Sequence, residues 1–150
     1  MKQKDNFRYA EKCLYEYKQN MAGLKVLYED LRVMQADIDV HAQNYQCIFN
    51  FTGDVSNPVQ SRLIKIESIE GRIRKLERVV NPITQLIEDL TAPEVLEYSE
   101  SKGLFQIMKL MYFGKNPPNV IMNELNIART TFFKQRRELV NMVISYLALE

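Results

Sequence analysis

The sequence has little of what enzymes and metalloproteins usually require. It contains one histidine, two cysteines and five glycines in 150 residues. His41 alone leaves a His-based metal centre without ligands, and Cys13 and Cys47 show neither CxxC nor CxxH spacing. There is no glycine-rich phosphate loop and no Ser/His/Asp or Cys/His set with a supporting partner. We therefore expect no catalysis, no cofactor and no metal.

Long apolar runs and a strong net charge are also missing. Without a signal peptide or an apolar run of membrane-spanning length, we expect a reduced, cytoplasmic protein that does not contact a membrane. The formal net charge is +1, which by itself does not predict nucleic-acid binding. The charge is uneven, however. Ser99–Glu150 has seven basic and four acidic residues, whereas the remainder has thirteen and fifteen. The C-terminal third is therefore the part suited to contacting phosphate.

The residues that are abundant favour helices. Hydrophobic residues make up 46% of the chain and charged residues 26%, and good helix formers dominate the long stretches. β-branched residues never form an alternating run bounded by turn residues. The sequence thus predicts an all-α protein.

Two apolar stripes with alternating intervals of three and four predict a long antiparallel helical hairpin that resembles a coiled coil. The first stripe is Ala10, Leu14, Tyr17, Met21, Leu24, Tyr28, Leu31, Gln35, Ile38, Ala42 and Tyr45. The second is Val59, Ile66, Ile69, Ile73, Leu76, Val80, Ile83, Ile87 and Leu90, in which the alternation begins at Ile66. We expect helix continuity through Gly23, a kink rather than a loop at Pro82, and a polar connection over 44–58. Each helix covers the other only in part, so the stripes serve either as core alone or also as contacts to a second copy or a partner protein.

Pro93 and its polar neighbours predict a joint between two regions. Residues 1–92 would form the hairpin for dimerisation or partner binding, and residues 99–150 a DNA-binding domain. In the second region we expect an apolar helix over Gly103–Phe113 with one buried side, formed by Leu104, Ile107, Met108 and Met111. Asn119 is expected to cap a short helix that carries the inward residues Ile121 and Leu125, followed by Ile127.

Asn126 is expected to form a left-handed turn before a longer helix. That helix should bury Phe132, Leu139, Val143 and Tyr146. The other side then presents side chains suited to DNA, namely Arg129, Thr130, Thr131, Phe133, Lys134 and Arg137, with Arg136, also expected to bind DNA, at its flank. Phe133 cannot share the burial of its neighbour Phe132, so it should be partly exposed. It would contact a base methyl or a sugar, or else pack on the hairpin or a second subunit.

The segment Asn123-Glu-Leu-Asn-Ile-Ala-Arg-Thr-Thr-Phe-Phe-Lys-Gln-Arg-Arg-Glu138, together with Tyr112-Phe-Gly, resembles the helix-turn-helix of phage late transcriptional regulators of the RinA and ArpU type. That motif is similar to sigma-factor region 4, and an Ile-Ser-Arg-Ser-Thr-hydrophobic-Tyr-basic pattern opens its recognition helix. Gly53-Asp-Val-Ser-Asn-Pro58 and Asn81-Pro-Ile83 resemble the N-terminal half of such proteins. Ala128 stands where the motif usually has a capping Ser, and Phe133 stands where Tyr is common.

The resemblance implies a transcriptional activator of phage or mobile-element late genes. Such a protein binds double-stranded DNA in the bacterial host cell and acts with host RNA polymerase. By matched positions, Arg129, Thr130, Thr131, Phe133 and Lys134 would read the DNA, and we expect a homodimer because one small reader makes few phosphate contacts.

A second interpretation uses the same helices differently. The chain would be a helical protein–protein interaction module, an adaptor or anti-regulator that does not itself bind DNA.

Overall fold

The computed structural model describes residues 2–48 and 58–149, with side chains described for 2–40 and 59–149. The secondary structure of these residues is helical and contains no strand, which confirms the all-α prediction. The elements are α1 (Lys2–Tyr15), α2 (Tyr17–Ile48), α3 (Pro58–Thr91), α4 (Pro93–Leu96), α5 (Ser99–Ile107), a π-helical turn (Met108–Phe113), α6 (Pro118–Leu125) and α7 (Arg129–Tyr146). Of the predicted 44–58 connection, residues 49–57 lie outside the described residues. Within the described ranges, no helix combines the length and apolar character needed to cross a bilayer.

The first predicted helix is divided at Glu16 into α1 and α2. The Glu16 amide still donates to the carbonyl four residues earlier at 3.0 Å, so helical hydrogen bonding reaches the junction. Helix α2 continues through Gly23, as predicted. Its stripe is buried near the start, at Tyr17 and Leu24, and opens at Tyr28, which is 47% exposed.

Helix α3 passes through Pro82, which confirms the predicted continuity. Proline has no amide hydrogen, so α3 lacks one backbone hydrogen bond there. The residues buried after it are Ile83, Leu86 and Leu90, whereas the predicted Ile87 is half-buried. Between Ile83 and Leu90, either Leu86 or Ile87 fits an alternation of three and four residues. Which of the two is buried depends on the residues that pack against α3, which the sequence pattern does not reveal.

The chain divides into two compact units, Met1–Asn20 with Arg78–Glu150 and Met21–Glu77. This division differs from the predicted joint at residues 92–99, because both sides of Pro93 belong to the first unit. Helix α1 packs against α7 and the π-helical turn, and this packing places the N-terminus with the C-terminal helices.

Side chains connect the start of α2 with the rest of the first unit. The hydroxyl groups of Tyr17 and Thr84 are 2.8 Å apart, and the Tyr17 ring stacks on Phe113 with ring centroids 5.2 Å apart. The N-terminal residues therefore share the core of the C-terminal helices.

In the second unit, α2 and α3 meet through side chains. Arg62 Nε donates to Asp37 at 2.9 Å, and the hydroxyl of Tyr28 donates to Glu77. Ile66 and Ile73 of α3 are buried.

Helix α5 and the π-helical turn bury the predicted side, formed by Leu104, Ile107, Met108 and Met111. Gly103 permits a close approach to α7, since a Cβ atom there would lie 2.8 Å from Nε2 of Gln135. From Met108 the hydrogen bonding changes, and the Gly114 amide donates to the carbonyl of Lys109, five residues earlier, at 2.9 Å. Tyr112 lies four residues after Met108, and both are fully buried, although the predicted buried side did not include Tyr112.

The loop after the π-helical turn contains a left-handed residue, Lys115, with φ 55°. Helix α6 then begins at Pro118, so the prediction that Asn119 caps it is wrong. Proline is favoured as the first helical residue because its φ is already helical and its missing amide hydrogen has no partner to lose. Ile121 is buried and Leu125 half-buried, which orients α6 as predicted.

Asn126 ends α6 with φ 53° and ψ 49°, the predicted left-handed conformation. Ile127 is half-buried, and Ala128 is the N-cap of α7. Its φ of −71° and ψ of 155° are those of a capping residue, but alanine cannot make a side-chain cap.

We expect Ala128→Ser to stabilise the protein by about 1 kcal/mol, because the serine hydroxyl would accept a hydrogen bond from a free amide in the first turn of α7. Urea denaturation followed by circular dichroism measures this. Ala22→Ser, at an exposed position inside α2, is the matched control and should destabilise by about 0.5 kcal/mol. If both substitutions changed the free energy of unfolding in the same direction, the capping assignment would be contradicted.

Candidate nucleic-acid interface

Helix α7 is oriented by one fully buried side. Its buried residues are Phe132, Leu139, Val140 and Val143, each with no exposed surface. They hold α7 against α1 and α5. Tyr146, predicted to be buried, is only half-buried because its hydroxyl reaches outward and donates to Asp89. This hydrogen bond also lowers the pKa of Asp89, with a smaller contribution from Gln85.

Most of the predicted DNA-binding residues lie outside this buried side. Those exposed are Arg129, Thr130, Thr131, Lys134 and Arg137. Arg129, Lys134 and Arg137 have no ion-pair partner in the part of the chain that the structure describes. Arg129 and Arg137 are eight residues apart, or about 12 Å along the helix axis. The surface therefore carries three unneutralised positive charges over about two turns.

Phe133 is half-buried, which agrees with the predicted partial exposure. Its ring meets that of Phe132 edge to face, with centroids 5.2 Å apart. The Arg129 guanidinium lies 5.4 Å from the Phe133 centroid, a cation–π distance. Phe133 therefore restricts Arg129 at the start of α7 and still exposes part of its own ring.

Arg136, predicted to bind DNA from the flank of the reading side, is engaged with α1 instead. Its Nε and Nη2 atoms lie 2.8 and 2.6 Å from Oε1 of Glu11 in α1. Its guanidinium is also 5.7 Å from the ring centroid of Phe7, and its side chain is only 26% exposed. Arg136 is thus occupied by contacts that join α7 to α1.

Tyr112 completes this contact from the π-helical turn. Its hydroxyl donates to the same Glu11 oxygen at 2.8 Å, so one carboxylate receives donors from two other elements. Burial, reinforced by the bond to Glu11, raises the pKa of Tyr112 far above the ordinary value of 10.0. Burial opposes the charge of Arg136, but hydrogen bonds to Glu11 and Tyr112 hold its pKa above the ordinary value. We call Glu11, Tyr112 and Arg136 the interhelix triad.

Glu11 and Tyr112 are not predicted as partners of Arg136 from the sequence. Glu11 stands outside the first apolar stripe, where a solvated acid is the ordinary expectation. Only the fold brings together residues that are 101 and 125 positions apart in the chain.

Comparison with protein-family models, curated proteins and solved structures found no match to this chain. The resemblance to phage late regulators therefore stays a prediction.

We expect Arg136→Gln to lower the free energy of unfolding by about 2 kcal/mol, because Glu11 would lose its charged partner at a half-buried position. Arg137→Gln is the matched control one residue later, and at its exposed position the change should stay within about 0.5 kcal/mol. Chemical denaturation of both variants distinguishes the two roles. Equal effects would contradict the placement of Arg136 inside the fold.

Alkaline pH should weaken the triad through Tyr112. Because the folded protein holds the Tyr112 proton more tightly than the unfolded chain, the stabilisation is complete below the ordinary pKa of 10.0 and is lost as the pH rises above it. Tyr112→Phe should cost about 1–2 kcal/mol at neutral pH. It should also make the fall in stability between about pH 10 and 12 shallower than in the unsubstituted protein, since phenylalanine has no proton to lose.

Denaturation at a series of pH values measures both effects. Tyr98→Phe, at a position that is 70% exposed, should change the stability at neutral pH by less than about 0.5 kcal/mol. An alkaline decline in Tyr112→Phe as steep as that of the unsubstituted protein would show that Tyr112 is not responsible.

Proposed function

We propose that the protein is a sequence-specific, DNA-binding transcriptional regulator in which α6, the turn at Asn126 and α7 form a helix-turn-helix. The observation that carries this proposal is the division of α7 into two sides. Four of its residues are completely buried, whereas Arg129, Lys134 and Arg137 are exposed without acidic partners among the described residues. A rigidly held helix with an exposed cationic side is what reading the major groove requires.

The first turn of α7 suits contact with bases and phosphate. Arg129 and Thr130 stand at the helix start, where side chains of a recognition helix reach base edges. The first-turn amides have no side-chain cap, so they too are available to phosphate oxygens. Lys134 and Arg137 follow one and two turns later and would neutralise the DNA backbone. Arg136 supports this arrangement through the interhelix triad and does not contact DNA.

The finer biological role rests on the resemblance alone. It suggests activation of phage or mobile-element late genes together with host RNA polymerase. The residue pattern over Asn123–Glu138 supports this role.

For residues 21–77 we propose the antiparallel hairpin. Its support is the pairing of contacts, in which Tyr28 meets Glu77 and the later residue Asp37 meets the earlier residue Arg62. Two copies of the reader, joined through this hairpin, would contact two DNA half-sites.

One observation favours the alternative, an interaction module that does not bind DNA. Helix α2 carries a second apolar stripe, Val26, Val33 and Val40, in which the valines are 60%, 52% and 57% exposed. Spacing of seven residues is the spacing of a coiled-coil seam, so this side of α2 suits a partner helix. A protein with this surface and no affinity for DNA would be an adaptor.

DNA binding tests the proposal directly. We expect the protein to bind a short fluorescent duplex at low salt and the affinity to fall steeply as salt rises. The double substitution Lys134→Gln with Arg137→Gln should reduce the slope of log affinity against log salt by about 1.8, since each phosphate contact contributes about 0.9. Fluorescence anisotropy over a salt series measures this, and circular dichroism checks that the helices persist.

The matched control is Lys65→Gln with Lys75→Gln, which removes two exposed cations from α3. This variant should bind as the unsubstituted protein does. If the unsubstituted protein shows no binding at low salt, the interaction module is favoured instead.

A further inference from the structure

A cleft of about 810 Å³ lies between α1 and α7. Its α1 wall includes Lys4 and Arg8, which are four residues apart and therefore share one side of that helix. Its α7 wall includes Arg137, which also belongs to the exposed cationic surface of α7. The cleft is thus continuous with that surface.

The charge of the cleft is strongly one-sided. Glu11 is the one acidic residue among the described residues that line it, and Arg136 neutralises Glu11 within the interhelix triad. Lys4, Arg8 and Arg137 remain exposed and have no ion-pair partner in the described ranges. Three positive charges are therefore left without compensation, a density that attracts an anionic chain.

Apolar side chains also line the cleft. Phe7, Ile144 and Leu149 are among its lining residues and are half-buried, so part of its wall is apolar. Apolar walls have a low dielectric constant and focus the field of nearby charges into the opening. Polar amides, including that of Asn141, stand beside the cations and can donate to anionic oxygens.

We propose that this cleft binds phosphate groups of the same DNA duplex that α7 reads, with Lys4 and Arg8 as the contacts contributed by the N-terminal helix. The inference rests on the proposed DNA-binding function and extends it to residues outside the helix-turn-helix. Arg137 lies three residues after Lys134, about 4.5 Å along the axis, so a DNA strand that crosses α7 would continue into the cleft. Phosphates favour such a strip of cations because each contact releases counterions.

Phosphate contacts carry no sequence information, so the cleft adds affinity without changing specificity. The double substitution Lys4→Gln with Arg8→Gln should therefore lower the slope of log affinity against log salt by about 1.8 and weaken binding about 10- to 100-fold near 0.1 M salt. The ratio of affinities for two different duplexes should stay within about twofold. Arg8→Lys keeps the positive charge, so it should retain most of the salt slope that Arg8→Gln removes.

The matched control is Lys12→Gln, which removes an exposed cation of α1 that does not line the cleft. It should leave the salt slope unchanged. The experiment uses the full chain and two 20-base-pair fluorescent duplexes of different sequence, with thermal unfolding to confirm that each variant folds.

The outcomes separate this inference from the proposed function. If the unsubstituted protein binds neither duplex, the DNA-binding function fails and the inference fails with it. If it binds DNA and the Lys4/Arg8 double variant shows an unchanged slope, only the inference is overturned. An equal loss in Lys12→Gln would also overturn it, because overall charge would then explain the effect. Binding to polyglutamate is measured for the same variants. If the Lys4/Arg8 double variant kept its salt slope on DNA but lost affinity for polyglutamate, the cleft would be assigned to an acidic protein segment and the inference would be overturned.

Discussion

One carboxylate holds together the elements on which the candidate interface depends. Glu11 of α1 accepts a hydrogen bond from Tyr112 of the π-helical turn and two from Arg136 of α7. The position of α7 is therefore set partly by a residue from the first turns of the chain. A half-buried, charge-assisted contact of this kind fixes geometry more strictly than apolar packing does, because its donors and acceptor must meet at defined angles.

This contact gives the N-terminal helix a role that an apolar stripe alone does not suggest. By neutralising Glu11, Arg136 leaves the nearby cations of α1 and α7 as the effective charge of that side of the unit. The same guanidinium lies near the rings of Phe7 and Phe133 and so extends the contact to apolar neighbours. The contacts of Arg136 therefore both hold α7 against α1 and leave the exposed surface nearby positively charged.

The sequence predicted those features of the fold that depend on neighbouring residues in the chain. The helical class, the left-handed Asn126 and the buried side of α7 at Phe132 and Leu139 all follow from composition, turn chemistry and periodicity. What failed depended on distant parts of the chain. The place of Arg136 is decided by α1, and the hydrogen-bond partner of Tyr112 is Glu11, 101 positions away in the chain. The start of α6 was missed for a local reason, because the preference of proline for the first helical position outweighed the capping tendency of Asn119.

The π-helical turn makes the unit sensitive to chain length at one point. It accommodates one residue more per turn than an α-helix does, and Tyr112 reaches Glu11 from within it. Removing a single residue between Met108 and Met111 would favour α-helical hydrogen bonding and leave the residues after the turn in their orientation. Within the turn, such a deletion would change the approach of Tyr112 to Glu11, even where every apolar residue was kept.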